Sequence, residues 1–98
     1  MYLVISQWEA LPGQEAQFDK LGRKVGAVLR KQPGVLLLET IKVGKRHISV
    51  HGYRDEATYH ALVDDPKSAF VKALQSLNVD KVGRWISSER GETMAHEA

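Results

Sequence analysis

The stretch from Arg46 to Pro66, RHISVHGYRDEATYHALVDDP, decides how the chain is read. Its first half alternates: His47, Ser49, His51 and Tyr53 share one face of an extended strand, and Ile48, Val50 and Gly52 share the other. Asp55 then supplies an N-cap and Glu56 an acidic first turn, so a helix carrying Tyr59 and His60 follows. Adjacent helical residues cannot both face the core, and Tyr59 is the inward one of that pair. Asp64-Asp65-Pro66 interrupts the helix. Three of the four histidines and two of the three tyrosines lie in this stretch, so a chemical site is expected here.

Upstream, Val35 to Val43 reads as a strand joined by a tight Gly44-Lys45 turn to Arg46–Arg54, which makes the two a hairpin. Val35, Leu36, Leu37 and Leu38 are consecutive apolar residues, so both faces of that strand want cover. Further upstream, Phe18, Leu21, Val25, Val28 and Leu29 recur at helical spacing with charged residues between them. Pro12 is expected to open this helix, with Glu15 near its N-terminus, and Lys31 and Pro33-Gly34 to end it. Gly22 and Gly26 lie beside the apolar stripe and point to close packing of helix on sheet. Tyr2–Glu9 is a first strand, with Val4, Ser6 and Trp8 on one face and Leu3, Ile5 and Gln7 on the other.

Downstream of the break, Ala69, Phe70, Ala73, Leu74 and Leu77 give a second helical segment an apolar face. Val79–Ser88 is expected to be the last strand, and 89–98 a polar tail that frays or reaches a partner. The order is β-α-β-β-α-β, an α+β, ferredoxin-like antiparallel sheet with two helices on one face, formed by residues 2–88. Those helices cover one face only, and the apolar run Val35–Leu38, with Leu3 and Ile5, leaves the other face hydrophobic and without cover. An apolar face of that kind is an association site, so a homodimer packed sheet to sheet is expected.

The bulk properties exclude several classes. Ninety-eight residues make one domain, and 43% hydrophobic with 27% charged residues is ordinary for a globular protein. A net charge of +2 with scattered Lys and Arg is no footprint for nucleic acid. Without cysteine there is no thiolate nucleophile and no Cys-ligated metal site. The chain opens on a strand-like MYLVISQW, without a basic leader or a long apolar segment, so a cytoplasmic protein that does not bind membranes is expected. No dinucleotide fingerprint, P-loop or serine nucleophile elbow occurs, which speaks against nucleotide-dependent and hydrolytic chemistry.

An opening strand, then Pro12-Gly13-x-Glu15-x-x-Phe18, Pro33-Gly34 before a strand, and Tyr53-Arg54-Asp55-x-Ala57-x-Tyr59 together resemble the antibiotic biosynthesis monooxygenase (ABM) domain family. The resemblance spans residues 2 to 88. It implies a dimeric α/β barrel with a substrate cavity between sheet and helices, and includes among its activities cofactor-independent oxygenation of phenols and quinols. The chain departs from the family pattern in having Tyr53 where Trp is common, and in lacking a family His near Ala61-Leu62 or Asp65-Pro66-Lys67, its nearest being His60. Ser6 stands where haem-degrading members carry Asn, and the places that correspond to their Trp and His, around Ala61 and Val71-Lys72, hold neither at the matching positions, so haem degradation is not expected.

His47 and His51 form HxxxH, but four residues of strand span about 13 Å while Zn–N bonds are about 2 Å, so no shared metal is expected. A row of His47, Ser49, His51 and Tyr53 facing the helices instead suits a small aromatic or quinol ligand, because histidine can accept a phenolic proton and tyrosine can hold an oxygen. His51 is the expected base, and Tyr53 and His47 orient the substrate. Ser6, Ser49 and His60 add polar contacts, and Trp8, Phe18 and Tyr59 apolar walls. The expected activity is a monooxygenase without metal or other cofactor. The alternative is a non-catalytic ligand-binding or stress-related dimer on the same scaffold.

Overall fold

The structure, a computed structural model, describes residues 1–97. Strand β1 (Tyr2–Ala10) leads through a turn to helix α1 (Glu15–Arg30), then to the hairpin β2 (Val35–Val43) and β3 (Arg46–Tyr53). Two short helices follow, α2 (Glu56–Val63) and α3 (Ala69–Ser76), and strand β4 (Gly83–Glu92) closes the sheet. The sheet order is β2-β3-β1-β4, with every neighbouring pair antiparallel. This is the ferredoxin-like α+β arrangement, its helices on one face.

The caps follow local chemistry. Asp55 accepts from the Thr58 backbone N–H at 2.8 Å and opens α2, and Ser68 accepts from the Val71 N–H at 3.1 Å and opens α3. Between them the Asp64-Asp65-Pro66 break turns the second helical unit into two pieces. Pro12 does not open α1 as expected. Pro12 and Gly13 form a turn, closed by the Gln14 N–H bonding the Leu11 carbonyl at 2.9 Å, and Gly13 takes φ +77°, which ordinary side chains avoid. The helix begins three residues after Pro12, with Glu15 in its first turn.

The last strand also begins later than the sequence suggests. Val79–Lys81 is a single 3₁₀ turn entered through Asn78 at φ 52°, and β4 starts at Gly83. Val79 and Val82 are both buried beside Phe18 and Leu21. Three-residue spacing puts two side chains on one side of a helical turn, whereas a strand would send them to opposite faces. At its far end β4 runs on through residues 89–92, pairing Gly91 with Leu3 and Glu92 with Tyr2. The partner strand's length, not the polar sequence, sets that limit, and Thr93 still bonds the Met1 carbonyl at 2.9 Å.

Two apolar clusters lie between sheet and helices. One gathers Tyr2, Val4, Leu29, Tyr53 and Tyr59, the other Ala10, Phe18, Leu21, Val79 and Val82. On the opposite face of the sheet, cross-strand pairing groups Ile5 with Val50, and Ile41 with Ile48. Ile5 and Ile41 are 42% and 59% exposed, so an apolar patch on that face is uncovered, with Gln7, Glu39 and Glu89 paired beside it.

Candidate functional site

Between the two clusters the sheet and helices do not meet, and a cavity of about 710 Å³ remains. Its floor comes from all four strands. β1 gives Val4, Ser6 and Trp8; β3 gives His47, Ser49 and His51; Leu38, Thr40 and Lys42 of β2 and Trp85 of β4 complete it. α1 contributes Phe18, Asp19 and Gly22, while Tyr59, Phe70 and Leu74 come from α2 and α3. The volume lies in the range of small-molecule sites, and the mixture of apolar walls with a few polar groups is typical of them.

Of the residues singled out in the sequence, Ser6, Trp8, Phe18, His47, Ser49, His51 and Tyr59 line this cavity. Two do not. Tyr53 is fully buried behind His51 in the tyrosine cluster, so it meets the histidine and not the cavity. His60 lies on the outer side of α2 between Asp64 at 2.6 Å and Glu56 at 3.1 Å, one turn away on either side. The Asp64 carboxylate, helped by Glu56, raises its proton affinity, as expected for a surface ion pair and not for a cavity group.

The arrangement around His51 fixes its chemistry. The Tyr53 hydroxyl lies 2.6 Å from His51 Nδ1, and no other partner for it occurs among the described residues. A buried hydroxyl has to place its proton on an acceptor, so Tyr53 donates to Nδ1. The imidazole proton therefore sits on Nε2, which donates to Ser6 Oγ at 3.3 Å, a long bond that leaves the N–H available to the cavity. Burial lowers the His51 pKa to about 4 and raises that of Tyr53. The ring is neutral at pH 7 and presents a donor, not a lone pair, to a bound molecule.

His47 sits in a different setting at the other end of β3. Its Nε2 lies 2.7 Å from Asp19 Oδ1, Lys42 Nζ lies 2.6 Å from Asp19 Oδ2, and the Phe18 ring packs against the imidazole with centroids 4.3 Å apart. The Lys42 hydrogen bond, assisted by that from His47, holds the Asp19 carboxyl below its ordinary pKa. In the sequence Asp19 is one more charge between apolar residues of α1, and Lys42, Phe70 and Trp85 join it in the cavity beyond the residues expected there. Lys42 carried a signal, since it is the hairpin partner of His47. Among the described residues, no group of three or more His, Asp or Glu side chains comes together in a way that suits a metal ion.

No protein-family profile matches the chain, and no curated protein sequence does. Solved structures do. SnoaB from Streptomyces nogalater, a cofactor-independent oxygenase, superposes with a TM-score of 0.71 at 15% identity, over 99% of this chain and 94% of its own. A Chloroflexus aurantiacus protein provisionally described as an antibiotic biosynthesis monooxygenase gives 0.74 at 12% identity, over 99% and 96%. The fold is that of the ABM proteins. A Nitrosomonas europaea protein of unknown function shares the ABM-like fold too, with a TM-score of 0.76 at 20% identity over 99% of this chain and 92% of its own.

The buried His51 makes stability depend on pH in a defined direction. The unfolded chain takes up the imidazole proton near the ordinary value of 6.5 and the folded one only near 4, so between these values the unfolded state binds more protons. Stability conferred by the neutral ring is complete above pH 6.5 and is lost as pH falls toward 4, up to about 3 kcal/mol. Urea titrations at pH 7 and pH 4.5 are expected to show a larger loss for the wild type than for His51→Gln. Asp19 and His60 titrate in both proteins and cancel in the difference; equal losses would contradict the burial of His51.

Proposed function

We propose that the chain is a cofactor-independent monooxygenase of a small phenol or quinol, working in the cavity between sheet and helices as a homodimer. The observation that carries this reading is the His51 Nε2–H aimed into an aromatic-walled cavity and held there by Tyr53. A preorganised donor of this kind favours an oxygen on which negative charge develops. An ionised phenol transfers one electron to oxygen, giving a phenoxyl radical and superoxide. Their recombination forms the new C–O bond, the peroxide takes back the phenolic proton, and its O–O bond and the C–H bond of the same ring carbon break, so one oxygen atom stays in the quinone product and the other leaves as water. Trp8, Phe18 and Tyr59 supply the walls that hold the ring, and Ser6 and Ser49 supply polar contacts beside it. The oxygenase character of SnoaB, on the same fold, supports this reading.

The low proton affinity of His51 favours a second reading, a ligand-binding protein without turnover, because a ring with a pKa about 4 is a weak base toward a phenol. Oxygen uptake separates the two. Metal-stripped protein given a panel of hydroquinones and polyphenols is expected to consume oxygen, and His51→Ala is expected to lose about 100-fold in kcat, the order of one lost oxyanion donor. No uptake across the panel would leave the binding reading. The homodimer is the expected cover for the apolar sheet face around Ile5, Ile41 and Ile48. Light scattering at micromolar concentration is expected to give a dimer that Ile41→Asp converts to a monomer; a wild-type monomer would contradict it.

A further inference from the structure

If His51 presents a donor, another group has to take the phenolic proton. We infer that His47, held by Asp19, is that base, with the open ring nitrogen of His47 receiving the proton of an aromatic hydroxyl bound in the cavity. The inference rests on the proposed oxygenase reading for its role, but its geometry stands apart from it.

The tautomer follows from the partners. The Asp19 carboxylate carries no proton to give, since Lys42 and His47 both stabilise its ionised form. The short Nε2–Oδ1 contact is therefore an N–H donated by His47, which leaves Nδ1 with its lone pair. No hydrogen bond to Nδ1 occurs among the described residues. That nitrogen faces Gly22 of α1, where a Cβ would come within 3.4 Å of it. Gly22 lines the cavity as well, so the missing side chain leaves room beside Nδ1 for a ligand oxygen.

The ring is held in place from several sides. Asp19 fixes one edge, and Phe18 packs on one face with an interplanar angle of 30°. The charged and titratable groups around it are Asp19 and Arg23 of α1, Lys42 of β2, and His51 four residues along β3; β1 and β4 set the uncharged Trp8 and Trp85 beside it. Lys42 and Asp19 neutralise each other, so the proton accepted by His47 is balanced locally by the new phenolate. The step is a single transfer: the substrate O–H bond breaks, its electron pair remains on the phenolate oxygen, and the proton goes to Nδ1. Nε2–H stays bonded to Asp19 throughout. His47 is then the catalytic base, and Asp19 a positioning residue acting through it.

The test needs no turnover. 4-Nitrocatechol, whose ionised and neutral forms differ in absorbance, is bound to the full-length protein at a pH where the free probe is mostly neutral. In the wild type the ratio of ionised to neutral bound probe is expected to be at least ~10-fold above that of free probe, one unit of acidity. His47→Gln and Asp19→Asn are expected to bind the probe and lose this increase, and Asp19→Glu to restore part of it. Asp19→Asn is the sharper variant. Freeing Lys42 of its counter-charge would by itself favour phenolate, so a loss of ionisation can only come through His47. Probe that fails to bind, binds neutral to the wild type, or ionises equally in the variants would overturn the inference. Ionised probe with no oxygen uptake from any phenol would uphold the base and sink the oxygenase reading instead.

Discussion

A buried tyrosine hydroxyl that must find an acceptor organises the inner half of this molecule. Tyr53 has no exposed surface, and its ring packs against Tyr59 at 5.2 Å in an edge-on arrangement. A hydroxyl left unpaired there would cost about 1–3 kcal/mol, and His51 Nδ1 is the partner that removes this cost. The requirement propagates outward. It fixes the tautomer of His51, turns Nε2–H toward Ser6 and the cavity, and keeps the ring neutral. The core and the candidate site are thus joined by one hydrogen bond between residues two apart on one strand.

The two histidines of β3 share a face yet meet different surroundings. His51 is set among apolar residues and a neutral phenol, so its environment favours the neutral ring. His47 meets a carboxylate that is itself kept ionised by a lysine. Four residues of strand hold the pair about 13 Å apart along β3, far enough that neither governs the other and near enough that one cavity is lined by both. Both line one aromatic-walled cavity.

Much of this was legible in the residues. The alternation of His47, Ser49, His51 and Tyr53 is a direct consequence of strand geometry, and Asp55 announced α2 because its side chain can cap a helix. The misses share one cause, which is tertiary pairing. β4 starts four residues after the sequence pattern suggests because Val79 and Val82 are as apolar as strand residues, and only their packing on Phe18 shows the helical turn. Its polar end was read as tail because backbone pairing with β1 leaves no mark on side-chain pattern. Tyr53 had the right face but the wrong depth. Asp19 lies 28 residues from His47, and only the crossing of α1 over the hairpin brings them together.

Everything proposed for the cavity depends on which His51 nitrogen carries the proton, and a two-bond ¹H–¹⁵N correlation spectrum of the imidazole rings reads that directly. At pH 7 the account predicts a neutral His51 ring protonated on Nε2, with Nδ1 bare and hydrogen-bonded, unchanged until the pH approaches about 4. A ring protonated on Nδ1, or one already charged near pH 6, would contradict it.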